Sequence, residues 1–361
     1  MTLLRGWGSD LNLHDWLFTK IFPAEDRLTS EYVRVGSRLA FAELFRFGVT
    51  SIADMYFFMD DVANAAMECG ARASLARSVS STSGPNGSVG LREERELIDA
   101  WNGAGDGRII IAVSPHSEYT TNDALNRELI ALAREKRLPI HVHLSETRSE
   151  TDECIARHGL TPVMYYKSLG AFDSHVMAAH CVYANDEDIS VLTKSGAMIS
   201  HNPVSNLKLA SGVMPLPKML DAGALVALGT DGVASNNTHN LWEEIRLAGI
   251  LHKGVSGDPT VVSPLQVMRM ATENGAAGMG FADCGRLESG KRADLILLCD
   301  DKPHFVPCED VPSALVYSAQ GSDVTLTMVN GRVVYKDGEY KTMDAERDMA
   351  LTREYFHRMT D

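Results

Sequence analysis

The sequence predicts an α/β fold from three observations. Seven short apolar runs with strand character occur in series between residues 48 and 232, longer stretches between them place apolar residues at helical spacing, and each run ends in a polar residue. The runs are 48–56 (near its end Asp54), 71–79 (Arg77), 108–116 (His116), 138–146 (His143 and Glu146), 175–182 (His180), 197–203 (His201) and 224–232 (Asp231). Between them, segments such as 122–137 carry apolar residues at i, i+3, i+4 and i+7. A strand–helix alternation of this kind implies parallel strands with helical crossovers. Strand ends that all carry His, Asp, Arg or Glu fit a (β/α)8 TIM-like barrel, whose strands converge on one mouth, better than an open sheet with a single switch point. A closed barrel needs an eighth strand, yet the residues before 48 read as loop and helix, so the expectation is a barrel whose first strand is missing from these residues.

After Asp231 come two helical stretches, and from Gly285 the pattern changes to apolar–polar alternation punctuated by Asn330-Gly331 and Asp337-Gly338 turns. That is hairpin grammar. The expected organisation is a barrel over 1–284, a small C-terminal β-sandwich remnant over 285–342 and a charged helix over 343–361.

Composition excludes several function classes. The 361 residues are 45% hydrophobic and 23% charged, an ordinary globular mixture with a sizeable core. With 34 Lys and Arg against 48 Asp and Glu, the formal charge is −14 and no basic stripe exists, which argues against nucleic acid and anionic membrane as partners. Cys69, Cys154, Cys181, Cys284, Cys299 and Cys308 form no CxxC pair or framework spacing, so reduced thiols and a cytoplasmic location are expected. No glycine-rich phosphate loop follows any strand.

In the run IHVHLSET, His141 and His143 lie two apart on a strand and share a face, while Glu146 enters the following loop. With His180, His116 and Asp231 at other strand ends, one mouth receives several imidazoles and two carboxylates, a donor set that zinc favours, beside a glutamate able to shuttle a proton. Any one of these histidines, taken singly, reads as a hydrogen-bonded core or loop residue. Jointly they read as a site. His14, His158, His175, His239, His252, His304 and His357 have no convergent partner in the pattern and read as surface or packing residues. His201 and Asn202 read equally as loop-shaping or substrate-contacting, Asp54 and Lys208 as structural. Trp7, Trp16, Phe18 and Phe22 read as an apolar wall or as the buried face of an outer helix.

The strings DMYF, SPHSEY, IHVHLSET, AAHCV, SHNPVSNLKLASG and LGTDGVASNN, with GKRADLIL and VNGRVVYKDG in the tail, resemble the amidohydrolase superfamily, and within it the 5-methylthioadenosine/S-adenosylhomocysteine deaminases. The resemblance spans the whole chain. It implies a hydrolase that deaminates an adenine nucleoside, with one divalent metal, most simply zinc, and a homo-oligomeric assembly. His143 and Asp231 match metal ligands. Glu146 matches the residue that protonates the purine ring, Asp231 also the acceptor of the water proton, and His180 the residue that holds the attacking water. His116 matches a purine or ribose contact, Glu25 the carboxylate that grips ribose hydroxyls, and Arg77 a cation near the substrate tail, with Arg92 as a second. The family's first strand ends in an HxH pair, followed by a segment similar to MTLLRG. Here that segment begins at Met1, so the resemblance implies that the HxH strand and the first half of the sandwich are missing, leaving zinc two of the three protein ligands such a site takes. His141, on the face of His143, is the one nearby substitute. Other readings are a triazine- or guanine-type aminohydrolase or chlorohydrolase of the same superfamily, and an inactive truncated fragment.

Overall fold

The computed structural model describes residues 1–81 and 87–360. The seven expected runs all form parallel strands: β1 (Ser51–Tyr56), β2 (Arg72–Val79), β3 (Ile109–Ile111) with its continuation β4 (Ser114–Pro115), β5 (Ile140–Leu144), β6 (Val176–His180), β7 (Met198–His201) and β8 (Leu225–Leu228). β3 and β4 come from one run and both pair with β2, the break falling at Ala112–Val113. The bridge from Val113 to Ile140 carries the sheet on to β5, and β5 to β8 follow in chain order. The result is one curved parallel sheet in sequential order, the wall of a (β/α) barrel. Among the described residues no pairing joins β8 to β1.

Local chemistry explains the alternation. β2 is buried along its entire length, as expected of a parallel strand covered on both faces. Several loops that lead from strand to helix end on a side chain that accepts a backbone N–H of the first turn: Thr147 for Arg148–His158, and Asn185 for Asp186–Ser195 with Asp188 closing the box. Inside the wall, Ala76, Ala112, Met177, Met198 and Ala227 meet Ala276, Met279 and Phe281, so small and flexible side chains fill the lumen. Outside, helices such as Ser30–Arg46 and Asp123–Lys136 bury Phe41, Phe45, Leu129 and Ile130 against the strands.

The tail forms the expected antiparallel sheet, ordered β12 (Glu339–Tyr340), β11 (Arg332–Lys336), β10 (Val324–Val329), β9 (Leu295–Leu298). Asn330 and Gly331 both have positive φ, the conformation a two-residue hairpin turn requires. This sheet docks on the barrel through polar contacts at buried positions. Arg72 of β2 makes two hydrogen bonds to Asp294, at 2.6 and 3.0 Å, and Asp294 also accepts the Asn330 N–H. Thr327 Oγ1 donates to the Phe45 carbonyl at 2.6 Å. The last helix, Ala345–Thr360, packs on Ser30–Arg46, where Arg38 meets Asp348 at 3.0 Å.

Candidate active site

The carboxyl ends of β5, β6 and β8 carry a backbone that most side chains avoid. Ser145, His180, Cys181 and Asp231 all have φ between +48° and +73°. Such left-handed positions in non-glycine residues are held only where surrounding contacts over-determine them, and they cluster at functional sites. Here they turn His180, Glu146 and Asp231 toward a cavity of about 580 Å3, which His116, His141 and His143 also line.

Each side chain is held from behind. His143 donates its Nδ1–H to the His116 carbonyl at 2.9 Å, which leaves Nε2 as the lone-pair nitrogen. His180 donates Nδ1–H to Asn206 Oδ1 at 2.8 Å, and its Nε2 lies 3.8 Å from Glu146 Oε2. Asp231 accepts from Ser205 and Ser235 on one oxygen, at 2.6 and 2.9 Å, and from the Gly232 N–H on the other. The rings of His143 and His180 stack with centroids 5.5 Å apart.

The two carboxyl groups are pushed in opposite directions. Burial raises the Glu146 pKa to about 7, opposed by His143 and assisted by the negative charge of Asp231. Burial acts on Asp231 too, yet His180, Ser205, the Gly232 N–H and His143 outweigh it and hold its carboxyl below the ordinary value. A proton-holding acid thus faces an ionised one, the arrangement that assigns acid and base roles in one pocket. Burial also lowers two of the imidazoles, His141 to about 3 and His116 well below its usual value.

Six of the eight residues expected at the site line the cavity: Glu25, His116, His143, Glu146, His180 and Asp231. Glu25 accepts the Tyr56 hydroxyl at 2.7 Å, and burial raises its pKa to about 7. The two arginines are not brought in. Arg77 is buried, but its guanidinium turns to Glu93 at 2.7 Å and to the Ser78 carbonyl, over the Phe57 ring, because a buried cation needs an anion and Glu93 lies one strand-to-helix connection away. Arg92 lies on the outer face of the helix Gly87–Trp101, 65% exposed and 3.8 Å from Glu96. Trp16 and Phe22 line the cavity, whereas Phe18 is exposed and Trp7 packs on Phe356.

Among the histidines read as having no convergent partner, His239 and His252 meet one in the interior. His239 lines the cavity and donates to Glu43 at 3.1 Å, and that carboxylate also binds Arg5 and the His239 N–H. His252 sits 3.2 Å from His201, Nε2 to Nε2, in the core. Neither contact leaves a local signal, since the partners are 196 and 51 residues apart.

For a metal, His143 offers an oriented imidazole nitrogen and Asp231 an ionised carboxylate, both donor types that zinc accepts. Among the described residues no group of three His, Cys, Asp or Glu is assembled for metal binding. His141 lines the same cavity with its Nδ1 buried and unpartnered, but it does not complete such a group.

The amidohydrolase family model matches residues 1–334. The chain belongs to the amidohydrolase family. With it come hydrolases acting on C–N bonds. This amidohydrolase is 45% identical over 349 residues, 97% of its length and 82% of the relative's, to the 5-methylthioadenosine/S-adenosylhomocysteine deaminase of Dictyoglomus thermophilum. It is 44% identical over 348 residues to the 5'-deoxyadenosine deaminase of Methanosarcina mazei, covering 96% of this chain and 80% of that one. A crystal structure of an adenosine deaminase from Xanthomonas campestris with bound zinc superposes with a TM-score of 0.95 at 33% identity, covering 99% of the amidohydrolase and 82% of that chain. None of its helices among the described residues is long and apolar enough to cross a membrane.

Proposed function

We propose that this amidohydrolase deaminates an adenine nucleoside bearing a 5'-thioether, 5'-methylthioadenosine or S-adenosylhomocysteine, with water, giving the inosine analogue and ammonia. The observation that carries the reading is the pairing of Glu146, raised to about 7, with the ionised Asp231 in one buried cavity. Glu146 gives its proton to a ring nitrogen as the amino-bearing carbon becomes tetrahedral. Asp231 takes a proton from the attacking water, and His180, fixed by Asn206, orients that water by accepting a hydrogen bond at Nε2. The proton taken up by Asp231 passes to the amino group, which leaves as ammonia, and the remaining hydroxyl proton returns to Glu146 as the carbonyl forms. Glu25, anchored on Tyr56, accepts hydrogen bonds from the ribose hydroxyls, and His116 borders the purine. Arg77 and Arg92 do not line the cavity among the described residues and are given no role in this reading.

His143 and Asp231 are the donors this chain offers one divalent cation, and we take zinc as its identity. A cation bound there supplies acidification of water near neutral pH.

The test is loss of adenine absorbance on incubation with 5'-methylthioadenosine, run beside elemental analysis. The reading expects turnover, about one divalent cation per chain, and loss of that cation in Asp231→Ala. Turnover of guanine or a chlorotriazine with none of any adenine nucleoside would overturn it.

A further inference from the structure

We propose that Glu150 is a positioning residue for the deamination, its buried carboxyl group holding the backbone turn that aims Glu146 into the cavity. This rests on the reading of Glu146 as the acid that protonates the ring.

Glu150 stands in the first turn of the helix Arg148–His158, three residues after its cap Thr147, whose side chain accepts the Glu150 N–H at 3.1 Å. A glutamate at that place ordinarily reaches back to the N–H of the capping residue and stays at the surface. Glu150 does neither alone. It is 4% exposed, and its oxygens reach past the cap, one accepting the Ser145 N–H at 3.0 Å and the other the Glu146 N–H at 2.6 Å. The turn it grips is the left-handed one at Ser145, φ +49°, with the Tyr183 N–H bonded to the Ser145 carbonyl on the other side at 2.9 Å. A non-glycine residue keeps such a conformation only while its neighbours enforce it. Released, Ser145 relaxes toward extended backbone, and the Glu146 carboxyl leaves its place 3.8 Å from His180. A displacement of about 1 Å in a catalytic group costs roughly 100-fold in rate.

The experiment compares Glu150→Ala, Glu150→Gln and Glu146→Gln in the whole, metal-loaded chain, with 5'-methylthioadenosine as probe and thermal melting as the control for folding. In Glu150→Ala, kcat is expected to fall about 100-fold with KM within about threefold. Glu150→Gln, which keeps one acceptor oxygen, is expected to recover about tenfold of that loss. A folded Glu150→Ala with wild-type kcat overturns the proposal, as does a KM that rises while kcat holds. Should Glu150→Ala fail to fold, Glu150→Gln decides: lowered kcat at unchanged KM supports the role, unchanged kcat refutes it. Wild-type kcat in Glu146→Gln overturns the acid assignment and this proposal together, whereas an inactive Glu146→Gln beside a fully active Glu150→Ala overturns this proposal alone.

Discussion

Glu146 acts only while it holds a proton, and burial places its pKa at about 7. The protonated fraction is complete below that value and falls as pH rises through it, so the acid limb of catalysis is lost on the alkaline side. We expect kcat/KM to decline about tenfold per pH unit above neutrality, and Glu146→Gln to lower kcat by roughly 100-fold or more while removing that limb, as read from initial rates across pH. An unchanged alkaline limb in Glu146→Gln would assign the ionisation elsewhere. Glu25 is the counterpart for binding. A carboxylate built to accept ribose hydroxyls penalises a substrate lacking one, since the buried group is then left unpaired. Glu25→Ala should shrink the preference for 5'-methylthioadenosine over its 2'-deoxy analogue by about tenfold or more, measured as the ratio of the two kcat/KM values. Equal preference in both proteins would remove Glu25 from the ribose site. The residue scale also shows where strand position alone does not set a side chain's direction. Arg77 ends a strand like its neighbours, yet its long side chain has room to turn away, and Glu93 on the next helix captures it. The short side chain of His143, within β5, has no such freedom, so for it strand position already implies direction.

Elements were the most legible scale. A strand inside a parallel sheet shows as a short cluster of apolar residues, and β2 (Ala73, Leu75, Ala76, Val79) and β5 (Ile140, Val142, Leu144) each carry one. A hairpin must have residues tolerant of positive φ at its turn, and Asn330-Gly331 and Asp337-Gly338 announce the β10–β11 and β11–β12 turns. Both signals are local, which is why they survive in one sequence. The break between β3 and β4 was not visible, because Ala112 and Val113 continue the apolar run and stay hydrogen bonded, Ala112 N–H to the Leu75 carbonyl and Val113 N–H to the Pro139 carbonyl. Close packing between elements is invisible in the same way. Gly249 lies inside the helix Leu241–Ser256, where propensity alone favours alanine by about 1 kcal/mol. An added Cβ would sit 2.6 Å from Val316 Cγ1 on the helix Val311–Tyr317. We expect Gly249→Ala to lose more to this clash than it gains, with a net destabilisation of about 1 kcal/mol in urea melts; a more stable variant would show that the helices separate freely.

For the molecule as a whole, the junction of barrel and C-terminal sheet turns on one buried ion pair. Arg72 and Asp294 are 1% and 3% exposed, and Arg72 also faces the Phe281 ring at 5.2 Å. Removing one partner strands a charge in the core. Asp294→Ala should therefore cost about 3–5 kcal/mol, and the double change Arg72→Met with Asp294→Leu should recover most of it, as judged by chemical denaturation of both variants. A small loss in Asp294→Ala would mean that water reaches the junction.

By itself the sequence determined the order of strands and helices, the hairpin tail and the positions of Glu146, His180 and Asp231 at or just past strand ends, because each depends on a period, a turn residue or a spacing read within a few neighbours. Tertiary structure alone decided which of those side chains meet. It brought Glu43 across to His239, set His252 against His201 and turned Arg77 to Glu93, and among the described residues no pairing joins β8 to β1. It also placed the Glu150 carboxyl group beneath the Ser145 turn. Such contacts depend on how a curved sheet brings distant segments together, and on which charges then share a space without water, quantities that no local pattern of residues carries.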